Sequence, residues 1–282
     1  MKFVSSNRRQ NAPMKPVKPR SERGVTLIEL LIGIAIGLLV SLAAVGSLVF
    51  NRLSATLVND TVAMQQEAST IMRMVGRQLR QAGAVGVQDS PGAPGVGKYS
   101  YIDNYAGLDP VNGVISISGQ DSGTNFDGIT SSFSISPSIA NVIGDCRGQS
   151  PDLTVVPPPT MVTSRFNVDP NNNLMCEGLD GFPQPTGSNV EEFQVWYAIR
   201  TPPNGVIPAQ IRYYTADQIV APLRWDQVQA VQVCLRLSGD SQGNPVAAGG
   251  TVDCLGQPVA ADGRIRRVYQ RVFTMRNLQS LG

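Results

Sequence analysis

The sequence predicts an α+β fold: one long N-terminal helix, hydrophobic and then amphipathic, whose second half packs on a β-rich globular head. Three observations predict it. Residues 30–50 form an apolar run, and after Glu29 no charge appears until Arg52. Apolar residues then continue at helical spacing from Leu53 to Ala82, with no proline between Pro19 and Pro91. From Ser90 the texture changes to short β-type runs punctuated by glycine, proline, serine and asparagine.

Residues 1–24 are polar and basic, and read as a leader rather than as structure. Lys2, Arg8, Arg9, Lys15, Lys18, Arg20 and Arg23 stand there against a single acid, Glu22. Beyond residue 24 the only lysine is Lys98, and the remainder carries 16 basic and 20 acidic residues. The overall charge of +2 therefore hides a marked asymmetry. A basic segment before an apolar one stays on the cytoplasmic side while the far end crosses. The head is expected outside the cytoplasm. Met14 is an alternative start that leaves a leader of 11 residues.

Residues 25–50 read as a membrane-spanning helix half. The 21 residues from 30 to 50 would make a helix about 31 Å long, close to the roughly 30 Å hydrocarbon core of a bilayer. Residues 51–86 read as its amphipathic continuation. Leu53, Leu57, Met64, Ala68, Ile71, Val75, Leu79 and Ala82 form a stripe, with Arg52, Asp60, Glu67, Arg73, Arg77 and Arg80 largely off it. Gly83 and Gly86 are the expected stop signals. Glu29 is the anomaly. A charged side chain near the centre of a membrane helix costs about 2.5–3.5 kcal/mol, so a carboxylate at the mouth of this one implies a use.

Residues 87–282 read as the head. Residues 114–118, 129–135, 153–156, 193–199, 231–237 and 264–273 have strand composition, and 90–113, 119–127 and 238–262 read as loops. The chain has no histidine. That excludes Ser-His-Asp and Cys-His catalysis and every histidine metal site. Cys146, Cys176, Cys234 and Cys254 contain no C-x-x-C pair, which leaves little for a zinc or thioredoxin-type site. In an exported domain four cysteines read as two disulfides. Three pairings are possible. Cys146 with Cys176 and Cys234 with Cys254 is the favoured one, since both close local loops between expected strands. Four reduced buried thiols is the alternative.

The N-terminal organisation resembles a type IV prepilin: basic leader, Gly24, Thr26, Leu27 and Glu29, then the apolar helix. The family usually has phenylalanine where this chain has Val25. The head segments at 189–196 (N-V-E-E-F-Q-V-W), 225–235 (W-D-Q-V-Q-A-V-Q-V-C-L) and 262–277 (D-G-R-I-R-R-V-Y-Q-R-V-F-T-M-R-N) resemble the PilW family of minor pilins. The resemblance implies a pilin-like fold and a structural, non-catalytic protein that needs no cofactor or metal. It also implies cleavage by a prepilin peptidase between Gly24 and Val25, then N-methylation of Val25. Glu29, the fifth residue of the mature chain, would pair with a neighbour's N-terminal amine and set axial register. The expected partners are other minor pilins, the major pilin, a tip adhesin, the prepilin peptidase and the inner-membrane assembly platform. The expected location is the inner membrane, single-pass with the head in the periplasm, and then the pilus at the cell surface. The resemblance further implies a part in starting pilus assembly and a place near the tip.

Particular residues admit other readings. A J-type minor pseudopilin of type II secretion shares the stem. An ordinary secretory signal would end at Ser41-Leu42-Ala43, but Glu29 and the unbroken helix pattern oppose it. An exported enzyme on an uncleaved anchor has no recognisable catalytic constellation here. Arg264, Arg266, Arg267, Arg271 and Arg276 suggest DNA capture or, preferably, a solvated sheet face with acidic neighbours, so nucleic acid is not an expected partner. Residues 121–128 and 169–173 hint at calcium, yet lack EF-hand spacing and read as turns. Glu191 and Glu192 are adjacent, so on a strand they should face opposite sides. Trp196 and Trp225 read as core or interface anchors.

Overall fold

The computed structural model describes residues 24–84, 87–89, 99–101, 108–109, 113–114, 116–123, 126–135, 144–154, 161–201, 209–220, 225–243 and 250–277. Gly86 and the leader before Gly24 lie outside the described residues. The chain divides into two compact units, Met1–Arg52 and Leu53–Gly282.

In the first unit the described residues are the entry to α1 (Leu27–Gln81) and the helix as far as Arg52. Every described residue there is exposed, including Ile28, Leu31, Leu38 and Leu42. The segment is apolar on all sides. Such a helix is stable only where lipid or other helices replace water around it. Its length and composition suffice to cross a membrane.

The second unit begins with the remainder of α1. Met64, Ala68, Ile71, Met72, Val75 and Leu79 are buried there, while Arg73, Arg77 and Arg80 are exposed. The expected stripe is thus the packed face, except that Leu53 stays exposed and Leu57 is only half-buried. Ala82 N–H donates to the Gln78 carbonyl, and Gly83 follows with φ of +75°. Only glycine adopts that conformation without strain, so it stops the helix where the sequence places a stop.

Among the described residues fifteen strands follow. β1 (Val87–Asp89) pairs with β2 (Tyr99–Tyr101), and β3 (Leu108–Asp109) with β4 (Gly113–Val114). β5 (Ile117–Gln120), β6 (Gly128–Ser134), β7 (Met161–Val168), β8 (Leu174–Glu177) and β9 (Pro183–Gly187) form an antiparallel sheet in that order. β10 (Val190–Thr201), β11 (Gln210–Tyr214) and β12 (Val228–Ser238) follow, then the hairpin of β13 (Thr251–Val252) and β14 (Pro258–Val259), then β15 (Arg266–Thr274). The second large sheet runs β11-β10-β12-β15, all antiparallel.

Period-two alternation explains the centre of that sheet. Val231, Val233, Leu235 and Leu237 of β12 and Phe193, Val195, Tyr197 and Ile199 of β10 point to one face and are fully buried. They share one apolar core with α1 and with Ile117, Ile129, Phe166 and Leu174 of the five-stranded sheet. Phe133, Ile135 and Val162 form a smaller satellite. The core thus sits between the C-terminal part of α1 and both sheets.

Several expectations need correction. The expected strand at 114–118 is divided: Val114 ends β4, Ser116 is a bend and Ile117 opens β5. Leu153 and Thr154 form a turn instead of a strand, with the Asp152 side chain accepting from Thr154 N–H at 2.9 Å; residues 155 and 156 lie outside the described residues. The segments expected as loops contain β2, β3, β13 and β14, and β5 runs on through Gln120. The last strand starts at Arg266, two residues after the expected start. α1 ends at Gln81, short of 86.

Candidate functional site

The residues expected to be processed, Gly24 and Val25, and the expected register carboxylate, Glu29, lie at the N-terminus of α1. Gly24, Val25 and Thr26 are non-helical and exposed, with nothing near Gly24. A peptide bond in this state is open to a protease; one inside a hydrogen-bonded helix is not. Thr26 caps the helix. Its carbonyl accepts from Glu29 N–H at 3.1 Å and Leu30 N–H at 3.2 Å, and its Oγ1 accepts from Glu29 N–H at 3.4 Å. T-x-x-E is the spacing of a capping box. Only the threonine half is made here. Among the described residues the Glu29 carboxylate has no partner, and it stands in the first turn, where the helix dipole favours negative charge. Gly24, Val25 and Glu29 thus share the helix entrance.

In the head, Cys146 is bonded to Cys176 and Cys234 to Cys254, with Cα–Cα distances of 6.2 and 6.0 Å. The first bridge ties the 144–154 segment to β8. The second ties the β13-β14 hairpin to β12.

Glu191 and Glu192 do not take opposite faces. The β10–β12 register shifts between Val190 and Glu192, and such a bulge re-aims one side chain. Arg236 Nη1 lies 3.2 Å from Glu192, and its Nε lies 3.6 Å from Glu191, an ion pair too long for a hydrogen bond. Glu192 is 2% exposed on its side chain and also accepts from Cys254 N–H at 3.0 Å. Burial pushes its pKa up, against the pull of that N–H and of Arg236. Arg266 completes the network, donating to Glu191 at 3.0 Å and to Asp262 at 2.7 Å. The Arg266 hydrogen bonds hold the Asp262 carboxyl well below the usual range. This cluster locks β10, β12, β15 and the disulfide-bound hairpin together, and its carboxylates are occupied by arginine.

The remaining candidates are structural. Asp169 Oδ1 accepts from Asn171 and Asn173 N–H at 2.9 and 2.7 Å, and Asp121 Oδ1 from Gly123 N–H at 2.8 Å. Aspartate side chains thus hold the turns at Asp121–Gly123 and Asp169–Asn173. Among the described residues no group of three or more His, Cys, Asp or Glu is arranged to hold a metal. Trp225 meets Tyr197 edge-on, with centroids 4.8 Å apart, and Trp196 is half-buried. Arg271 lies over the Phe273 ring at 5.8 Å.

Sequence reasoning did not anticipate Asp127. It is 4% exposed. Its N–H donates to Phe193 O, and its Oδ2 accepts from Val195 N–H, both at 2.8 Å. Oδ1 accepts no hydrogen bond among the described residues. Burial pushes its pKa to about 6, partly opposed by the Val195 N–H, with Asp121 and Asp217 adding to the rise. The sequence signal was only an aspartate flanked by Phe126 and Gly128.

Two stretches of the chain match known families. Residues 159–277 match the family model described as Type IV Pilus-assembly protein W. Residues 19–45 match the Prokaryotic N-terminal methylation motif. Among solved structures, a type IV-like pilin, TTHA1219 from Thermus thermophilus, aligns at 15% identity over 76% of this chain and 96% of that chain, with a TM-score of 0.41. No curated protein matches.

Proposed function

We propose that this PilW-like minor pilin, a structural component of a type IV pilus and not an enzyme, takes part in starting pilus assembly and ends near the pilus tip. One observation carries the reading: an N-terminal methylation motif at 19–45 and a PilW-family head at 159–277 occur on one chain, joined by a helix long and apolar enough to cross a membrane.

Each part then has a physical task. The leader holds the N-terminus in the cytoplasm until prepilin peptidase cuts after Gly24, freeing and methylating Val25. The apolar part of α1 keeps the subunit in the inner membrane, with the head in the periplasm. On assembly, helix contacts replace lipid contacts at little change in apolar exposure. Glu29 pairs with the α-amine of a neighbouring subunit. An unpaired charge there is strongly disfavoured, so the pair selects one axial register among many sliding ones. The head presents surfaces to other minor pilins, the major pilin and a tip adhesin.

Removing the chain from its native host tests the role in initiation. Pili per cell should fall sharply and return with the intact chain, but not with Glu29→Ala or Gly24→Val. Unchanged piliation without the chain would reject that role.

A further inference from the structure

β15 runs alongside α1 in the head. Phe273 packs directly on Gly76, and Asn277, just past the strand, donates to the Arg80 and Ala82 carbonyls at 3.2 Å. At the other end of the strand, Leu57 and the residues that open β15 line one cavity of about 260 Å³. The cavity therefore lies beside the first turns of the α1 segment that belongs to the head. Leu57 follows the apolar run at 30–50 by seven residues.

The lining has two characters. Leu57, Ala260, Ala261 and Ile265 make it apolar, and Arg264 and Arg267 make it basic. Arg266 also borders it, but Glu191 and Asp262 hold that guanidinium. The other two arginines meet no carboxylate among the described residues. Arg267 is exposed. Arg264 faces a neutral group, the Gln242 amide, whose oxygen in the satisfying orientation accepts from Nη2 at 3.0 Å and from Nε at 3.2 Å. Two uncompensated guanidiniums thus stand at an apolar hollow, in a chain that beyond residue 24 carries more acids than bases.

That combination selects a ligand. Guanidinium groups grip phosphate oxygens through paired N–H donors. A small inorganic anion would use the arginines and leave Leu57 and Ile265 idle. Nucleic acid draws its affinity from many phosphate contacts along a track, which two arginines at a hollow do not supply. An anionic amphiphile uses both parts of the lining, its phosphate on the arginines and its glycerol on the apolar floor.

We propose that this cavity binds the phosphate headgroup of an anionic phospholipid through Arg264 and Arg267 while the chain is in the membrane. The site rests on the minor-pilin reading only for its setting, a bilayer around the apolar part of α1. Arginines close to an anionic surface are drawn to it within a Debye length, and the cavity turns that general attraction into a hold on one headgroup. A lipid held there seats the head on the bilayer. The contact breaks when the subunit leaves the membrane for the filament.

The test uses the full chain in mixed micelles. Phosphatidylglycerol and phosphatidylcholine with identical acyl chains are the probes, and native mass spectrometry counts the lipid retained. The intact chain should retain phosphatidylglycerol in preference to phosphatidylcholine. Arg264→Gln with Arg267→Gln should lower that retention about tenfold. Arg73→Gln with Arg77→Gln, an equal loss of charge elsewhere on the head, should leave it unchanged. Equal losses in the two double variants would mark diffuse attraction and overturn the proposal, as would equal retention of the two lipids. Retention that survives Arg264→Gln with Arg267→Gln would place the lipid on the basic leader and also overturn it. So would complete displacement of the lipid by inorganic phosphate, the mark of a free-anion site. The intact chain gives a second reading that needs no variant: amide exchange at 260–267 should slow in nanodiscs of phosphatidylglycerol relative to phosphatidylcholine, and unchanged exchange would contradict the site. Recovery of the chain in membranes and the mass of its N-terminus report the pilin reading independently, so its failure and the failure of the lipid site are told apart.

Discussion

A Cβ placed on Gly76 would lie 2.2 Å from Cε1 of Phe273, far inside any van der Waals contact. The glycine lets α1 come down onto β15, the C-terminal edge strand of the four-stranded sheet. Alanine is the better helix former by about 1 kcal/mol, yet the clash against a 5% exposed ring should outweigh that. Gly76→Ala is expected to lower head stability by about 1–2 kcal/mol, read by denaturant unfolding of the detergent-solubilised chain. A stabilised variant would mean that the ring moves away freely.

Arg236 is the cation on which two carboxylates converge. Removing it strands Glu192 in the interior. Arg236→Met should cost about 3–5 kcal/mol. Adding Glu192→Leu should recover part of the loss, since breaking a buried pair costs more than replacing it with apolar groups. A double variant no better than the single one would show that the arginine acts through packing alone.

Asp127 gives the head a pH dependence with a definite sign. Its folded pKa, about 6, lies above the ordinary 3.8, so the folded state holds the proton more tightly than the unfolded state does. The associated stability is fully present below the unfolded value and is lost as pH rises through about 6. Asp127→Asn keeps an acceptor for Val195 N–H and should flatten that loss relative to the intact chain. Parallel pH–stability curves for the two would contradict the assignment.

The Cys234 and Cys254 bridge holds the β13-β14 hairpin against β12. Replacing both cysteines with serine should cost roughly 2–4 kcal/mol. Protease cleavage should then appear first within residues 250–259. Cleavage that instead begins in β12 would show that the bridge supports the sheet itself.

Much of this molecule is legible in the sequence where a period meets a burial requirement. The α1 stripe from Met64 to Ala82 and the alternation of Val231, Val233, Leu235 and Leu237 both lie on the buried face. The observed disulfides are the favoured pairing of the three possible, the one that closes the two local loops. β7 was missed because Ser164 sits on its buried face between Val162 and Phe166, which hides the alternation. β9 was missed because Pro183 and Pro185 discourage a strand assignment, although an edge strand tolerates them. The convergence of Glu191 and Glu192 on Arg236 depends on a register shift between strands, and strict alternation along one strand points the other way. Asp127 gains its character from Phe193 and Val195, more than sixty residues on, and no local pattern encodes that.

The N-terminal residue of the chain tests the central claim most directly. Peptide and intact-mass measurements on membrane and sheared-pilus fractions read it. The account predicts a chain that begins at methylated Val25 and is present in the pilus fraction. A chain that begins near Ala44, or an unprocessed leader in cells with active prepilin peptidase, would contradict it.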